Sequence, residues 1–147
     1  MGEAFDKVAK VLGLPYPGGI NVSRKAEEGD PQAFRLPKAR LQGAYDFSFS
    51  GLKTAVLRSV QKECGVTHEF PSFKLAERLS EAQKADFAAS FQDTAVNYLV
   101  SKTKLAFEEY TPKTVIIGGG VAASPPLRAA LSKALPVEVS YAPRQLC

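Results

Sequence analysis

The segment that decides the fold is residues 114–141, which run TVIIGGGVAASPPLRAALSKALPVEVSY. Its first four residues, 114–117, are a short β-branched run of the kind expected for a strand covered on both faces. Ser124-Pro125 predicts a helix start, because serine suits the N-cap and proline the first helical position. Residues 127–135 continue that helix, and 137–141 predict a second strand. Strand, glycine loop, helix and strand form a βαβ unit, so the sequence predicts parallel strands of an α/β sheet.

Upstream of this unit the sequence predicts mainly helices. Apolar side chains at helical spacing indicate a first helix that starts with the chain and ends at Gly13. A short helix is expected over 21–28, with Asn21 as its N-cap, and another over 52–62.

The longest helical pattern runs from Ser80 to about Tyr110. Ser80 and Gln83 have the spacing of a capping box, in which each side chain bonds the other residue's backbone. Apolar residues recur every four positions along one face, which predicts a stripe that faces the core. They are Phe87, Phe91, Ala95 and Leu99.

Residues 45–50 alternate aromatic and polar side chains, which predicts a half-buried strand ended by Gly51. The expected organisation is therefore a helical region with one short strand over 1–111, followed by the strand, glycine loop, helix and strand of 112–147.

Composition excludes several classes of protein. With 147 residues, 45% of them hydrophobic and 23% charged, the chain matches an ordinary globular domain. The net charge of +4 permits an anionic partner without requiring one. Cys64 and Cys147 are too few for a disulfide scaffold, and the single histidine, His68, excludes a two-histidine metal site. Without an apolar run of about 18 residues or a signal peptide, the sequence predicts a soluble protein in a reducing compartment and no membrane partner.

The glycine loop is the first candidate for chemistry. Gly118, Gly119 and Gly120 follow a parallel strand, where a phosphate can approach the backbone and the next helix start. A tight turn without a ligand is the alternative. A nicotinamide-cofactor motif, G-x-G-x-x-A with Glu138 on the following strand, is a weaker alternative because the prolines place the helix start after the motif.

Two carboxylates in the first helix are the second candidate. Glu3 and Asp6 lie one turn apart and could accept hydrogen bonds from sugar hydroxyls, although acidic residues near a helix N-terminus also match its dipole. Residues 47–53, FSFSGLK, could present hydroxyls and an ammonium, or could simply lead into a capped helix. His68 is expected to be solvated, and Cys64 to be a bystander.

Four segments in order give the chain a close resemblance to the TsaD family, the tRNA N6-adenosine threonylcarbamoyltransferases once labelled O-sialoglycoprotein endopeptidases. They are residues 2–9 (GEAFDKVA), 12–19 (LGLPYPGG), 46–54 (DFSFSGLKT) and 118–123 (GGGVAA). The GLKT form resembles the bacterial and organellar branch.

The resemblance implies part of one α/β lobe of the actin and sugar-kinase-like (ASKHA) fold. It also implies transfer of the threonylcarbamoyl group of threonylcarbamoyl-AMP to N6 of adenosine 37 in tRNA. By the family pattern Asp6 and Gly19 contact the adenylate, and Glu3 lies beside them. Gly118 and Gly119 form the loop against the nucleotide.

The chain differs from the family pattern at two positions and lacks its metal ligands. Ser124 stands where an asparagine usually lies near the adenine, and Ser23 where an aspartate is common. The family binds iron or another divalent metal through a His-x-x-x-His pair upstream and an aspartate downstream, and neither is present. We therefore expect no catalytic or metal-ligating residue here, with the N-terminal lobe and the C-terminal metal-ligand segment missing.

The partners that the resemblance implies are tRNA, a TsaB-like paralogue and a TsaE-like ATPase, in the cytoplasm. Two hypotheses stay open: part of the transferase, inactive alone, or a non-catalytic nucleotide-binding or assembly module derived from it. The old protease label needs a metal or nucleophile that the sequence does not supply.

Overall fold

The structure is a computed structural model that describes residues 1–38 and 41–143. Within those ranges the elements are α1 (Gly2–Val11), α2 (Gly18–Ala26), α3 (Ser50–Glu63), α4 (Glu81–Tyr110), β1 (Val115–Ile117), α5 (Pro125–Ala134) and β2 (Val139–Tyr141), with 3₁₀ turns at Ser72–Arg78 and Gly120–Ala123. β1 and β2 pair in parallel, with Val115 opposite Val139. The predicted class, a βαβ unit with parallel strands plus a helical region, is confirmed.

The chain divides into two compact units. The first comprises residues 1–40 and 48–95, and the second 41–47 and 96–147. The division falls within α4. The organisation into 1–111 and 112–147 as parts of one lobe stays a prediction.

The core of the first unit is helical. The aromatic ring of Phe5 in α1 meets that of Phe91 in α4 edge-on, with centroids 4.8 Å apart. Phe34 stacks on Phe87 with centroids 3.7 Å apart. Side chains from all four helices and the 3₁₀ turn close this core, including Val8, Leu12, Val22, Leu52, Val56, Val60, Leu75 and Ala95.

The capping box of α4 is confirmed. The Gln83 backbone N–H donates to Ser80 Oγ at 3.1 Å, and the Ser80 N–H donates to Gln83 Oε1 at 2.9 Å. Of the predicted stripe, Phe87, Phe91 and Ala95 are buried in the first unit. Leu99, in the second unit, is half-buried.

The predicted strand over 45–50 is wrong, since residues 45–49 form a turn and irregular backbone and Ser50 begins α3. Side chains of α4, and not a neighbouring strand, bond backbone carbonyls in this part of the chain. Lys102 Nζ donates to the carbonyl of Ala44 at 2.7 Å, and the Tyr98 hydroxyl to that of Asp46 at 3.4 Å. One of the alternating aromatic side chains also contacts α4, since the Phe47 ring packs edge-on against Tyr98.

The expectation that β1 is covered on both faces is also wrong. Val115 and Ile117 are half-buried on the face they share with Tyr141, where Arg128 of α5 stacks over the tyrosine ring at 4.1 Å. Ile116 points to the other face and is 71% exposed. A β-branched run marks a strand, but burial depends on what packs against it.

Candidate functional site

Asp6 is fixed by the backbone of the next helix. The N–H of Gly18, the first residue of α2, donates to Asp6 Oδ1 at 2.9 Å. A Cβ on Gly18 would lie 2.5 Å from Asp6 Cα and 2.6 Å from Asp6 Oδ1, so only glycine allows this approach. The bond also satisfies one of the N–H groups that a helix start leaves without an intrahelical partner. We call this arrangement the Asp6–Gly18 contact.

The turn before α2 is held by Asn21. Its side-chain Nδ2 donates to the carbonyls of Pro15 and Pro17, each at 3.0 Å. Asn21 as an N-cap is therefore wrong, because the helix begins at Gly18 with Pro17 as the preceding residue. The helix starts earlier than predicted because Asp6, from another helix, supplies the acceptor that a capping side chain would have supplied.

Gly19 and Ser23 lie one turn apart on α2 and are both half-buried. No atom lies within 4 Å of the position that a Gly19 Cβ would take. Beside the rigid Asp6–Gly18 contact there is thus open space that a ligand can enter, with the Ser23 hydroxyl on the same helix face.

Glu3 has a different partner from Asp6. Lys53 Nζ of α3 forms an ion pair with Glu3 Oε1 at 3.1 Å. The hydrogen bond and charge of Lys53 hold the pKa of the exposed Glu3 carboxyl below its ordinary value of 4.5. The two predicted carboxylates therefore sit on one helix but face separate elements, Asp6 towards α2 and Glu3 towards α3.

The glycine loop lies in the second unit and is exposed. Gly119 has φ +91° and ψ 167°, a conformation that requires glycine. The φ of Gly118 is not positive, and a Cβ there would meet Ala142 Cβ at an acceptable 3.8 Å. The Ala122 N–H donates to the Gly119 carbonyl at 3.0 Å, which closes a 3₁₀ turn after the loop.

Ser124 precedes α5 at the N-cap position, as predicted, but its side chain makes no capping hydrogen bond. The half-buried hydroxyl is therefore not used by the helix. Arg128 fixes the end of the loop: its Nε donates to the carbonyl of Ala122 at 2.6 Å. The sequence carried no signal for this contact, because an arginine in α5 looks like any solvated helix residue.

The nicotinamide alternative loses its structural basis in this loop. The dinucleotide motif needs a helix that starts at the glycine turn. Here a 3₁₀ turn over Gly120–Ala123 intervenes, and α5 starts at Pro125.

The single histidine and the described cysteine lie outside these segments. His68 is exposed, and burial raises the pKa of the Cys64 thiol at the end of α3. Cys147 lies outside the described residues. Across 1–38 and 41–143, no group of three or more His, Cys, Asp or Glu side chains is arranged to hold a metal ion. The donor set present thus does not fit a divalent metal. None of the helices described is both long and apolar enough to cross a bilayer.

Comparison with known proteins gives a consistent result. A family model described as tRNA N6-adenosine threonylcarbamoyltransferase, TsaD, matches residues 1–147. Three bacterial proteins of that name align over nearly the whole chain. The protein of Symbiobacterium thermophilum is 46% identical over 149 residues, covering 99% of this chain and 40% of the relative. That of Gloeobacter violaceus is 43% identical, covering 100% and 40%. That of Geobacillus kaustophilus is 47% identical, covering 99% and 40%.

Proposed function

The chain belongs to the TsaD family of tRNA N6-adenosine threonylcarbamoyltransferases, and from this premise we propose that it supplies adenylate-binding residues for threonylcarbamoyl transfer to tRNA. The chain spans about 40% of the length of the curated relatives it matches. The transfer reaction is therefore proposed for the whole enzyme, and ligand binding for this part of it.

The observation that carries the proposal is the Asp6–Gly18 contact with the open space beside Gly19. One oxygen of the Asp6 carboxylate is fixed by a backbone N–H, so the carboxylate is held in one orientation. Its remaining lone pairs can accept hydrogen bonds from the ribose hydroxyls of an adenylate. Gly19 lets the ligand approach the backbone of α2, and the Ser23 hydroxyl adds a polar group on that face.

Three residues of the second unit support nucleotide binding independently. Gly118 and Gly119 expose their backbone at the end of β1, where ligands of α/β sheets bind. The unused Ser124 hydroxyl can make a hydrogen bond to the adenine, although it cannot offer an amide's donor and acceptor together. Glu3, which pairs with Lys53 but stays largely exposed, is proposed as a further ligand-binding residue of α1.

In the proposed reaction N6 of the tRNA adenosine attacks the carbamoyl carbonyl of threonylcarbamoyl-AMP. A C–N bond forms between the carbamoyl carbon and N6, and the bond between that carbon and the phosphate oxygen of AMP breaks. AMP leaves with the electron pair of the broken bond, and N6 loses a proton. This chain binds the leaving group. No step is assigned to a metal, since the described donor set does not fit one. A TsaB-like paralogue and a TsaE-like ATPase are the proposed partners, and the cytoplasm, where tRNA is modified, is the proposed location.

Calorimetry with a non-hydrolysable threonylcarbamoyl-AMP analogue tests the proposal. We expect the chain to bind the analogue, and Gly19→Ala to weaken that binding by filling the open space. Gly51→Ala is the matched control, because Gly51 is also the second residue of a helix with nothing within 4 Å of its Cβ position. Failure of the chain to bind, or equal effects of the two substitutions, would overturn the proposal.

The non-catalytic nucleotide-binding or assembly module derived from the family is the second candidate. A transfer assay with tRNA and threonylcarbamoyl-AMP tests the module. Transfer by the isolated chain excludes it, whereas analogue binding without transfer agrees with both candidates.

A further inference from the structure

A cavity of about 280 Å³ lies in the first unit, against the outward face of α1. It is built by three elements: α1, the first half of α3 and the 3₁₀ turn over Ser72–Arg78. The side chains that line it are Lys7, Lys10, Lys53, Thr54, Ser72 and Phe73, with Val11 and Leu57 as its apolar base. We call it the lysine cavity.

The lysine cavity is positively charged. Lys53 is neutralised by Glu3 at 3.1 Å. Lys7 and Lys10 are exposed, lie one turn apart on α1 and form no ion pair with any described residue. The charge of Lys7 also acts on Glu3, one turn earlier on α1, so one carboxylate serves both Lys7 and Lys53. Three ammonium groups line the cavity beside that single carboxylate, which leaves a net positive charge.

The remaining lining suits the backbone and base of a nucleic acid. Thr54 and Ser72 place hydroxyls in the cavity. Phe73 is 68% exposed, an unusual position for a large apolar ring, and stands beside the lysines. A cationic groove that tracks phosphates, next to an aromatic ring on which a base can stack, is the common device of proteins that bind single strands.

The volume of the cavity limits how large a ligand it can hold. Complete small-molecule sites occupy roughly 300–1,000 Å³. At about 280 Å³ the lysine cavity lies just below that range, a size that suits one nucleotide unit of a longer strand, with Phe73 among its lining residues.

We propose that the lysine cavity binds a phosphate of a single-stranded RNA segment through Lys7 and Lys10, with the neighbouring base stacked on Phe73. The inference rests on the proposed function to the extent that tRNA is the substrate there. It adds a surface for the RNA that is formed entirely by residues of the first unit.

Fluorescence anisotropy with a labelled single-stranded RNA octamer tests the inference on the full chain. We expect Lys7→Ala/Lys10→Ala to weaken binding about tenfold or more at low salt. The slope of log K against log salt should become shallower by about 0.7, since each phosphate neutralised on a single strand contributes about 0.7. Phe73→Leu, which keeps an apolar side chain but removes the ring face, should weaken binding roughly fivefold.

The matched control is Lys62→Ala/Lys133→Ala, which removes the same charge from two exposed lysines outside the cavity. Equal weakening by both lysine pairs would show a diffuse charge effect and overturn the inference. Inorganic phosphate is added as a competitor of the RNA at constant ionic strength. If it displaces the RNA completely and Phe73→Leu has no effect, the cavity is a site for small anions and the inference is overturned as well. Calorimetry with the adenylate analogue runs alongside. If the chain binds the analogue but not the RNA, this inference is wrong and the proposed function stands. If it binds the RNA but not the analogue, the proposed function is wrong and this inference stands.

Discussion

The N–H of Gly18 and the Oδ1 atom of Asp6 lie 2.9 Å apart, joined by a hydrogen bond across 12 residues of chain. The contact does two things. It gives the first N–H of α2 an acceptor that α2 cannot supply, and it orients a carboxylate whose other oxygen is left for a ligand. Local folding and the proposed binding chemistry therefore depend on the same pair of residues.

Gly18→Ala should destabilise the chain by about 1–3 kcal/mol, because the new Cβ would overlap Asp6 backbone and side-chain atoms. Urea denaturation measures the change. Gly19→Ala is the neighbouring control: its Cβ meets nothing within 4 Å, and alanine favours a helix over glycine by up to about 1 kcal/mol. If Gly18→Ala proves as stable as Gly19→Ala, the close approach is not what selects glycine.

Ser124→Asn should tighten binding of the adenylate analogue without loss of stability. The Ser124 side chain makes no capping bond that the change could break, and asparagine is itself a good N-cap residue. An amide also offers a donor and an acceptor together, where the hydroxyl gives one directed bond. Calorimetry gives the affinity and thermal unfolding the stability. Unchanged or weaker affinity in a fully folded variant would remove Ser124 from the proposed nucleotide contacts.

Ser80→Ala should cost about 1 kcal/mol of stability, since it leaves the Gln83 N–H at the start of α4 without its acceptor. Gln83→Ala should cost less, and the two losses should not add, because the reciprocal bonds form one unit. A double-mutant cycle by urea denaturation measures the coupling. Ser80→Thr, which keeps the hydroxyl, is the control and should retain most of the stability. Additive losses would mean that the two bonds act independently.

The carboxyl of Glu3 should titrate below its ordinary pKa of 4.5, because Lys53 bonds and attracts its charged form. A pKa lowered by folding stabilises the folded state above the unfolded value, and that contribution disappears as pH falls through the folded value. We thus expect the Glu3–Lys53 pair to matter above about pH 4.5 and to be lost in more acidic solution. NMR titration of the Glu3 side chain should show the low midpoint, and Lys53→Met should raise it. Lys25→Met, which removes a partner of Glu81 instead, should leave Glu3 unchanged.

Phe87→Ala should destabilise the first unit by about 3–5 kcal/mol, because the ring is fully buried and stacks on Phe34. Phe73→Ala removes the same atoms from a side chain that is 68% exposed and should change stability by less than about 0.5 kcal/mol. Thermal and urea unfolding compare the two. A large loss in Phe73→Ala would mean that the ring packs in the fold and is not free to stack on a base.

The sequence predicted those parts of the fold that follow from the spacing of residue types along the chain. The capping box of α4, the buried face that includes Phe87 and Phe91, and the parallel pairing of β1 with β2 all follow from residue spacing and helix-end chemistry. The failures arise where tertiary contacts, or their absence, decide the structure. The alternation over 45–50 satisfied the pattern of a strand, but α4 bonds its carbonyls. A side chain from a distant element occupied the place that the pattern assigned to another strand.

The candidate site also has features that the sequence determines and features that only the packing of the helices determines. The sequence by itself determined the family, because four motifs occur in order. It also determined which positions have no side chain, at Gly19 in the first unit and at Gly118 and Gly119 in the second, because residue type and spacing are properties of the chain. Only the tertiary structure decided that Asp6 faces α2 while Glu3 faces α3, and that Lys7, Lys10 and Phe73 line one cavity. The physical reason is that hydrogen bonds, ion pairs and cavities join residues far apart in the sequence, and their partners are fixed only once the helices have packed.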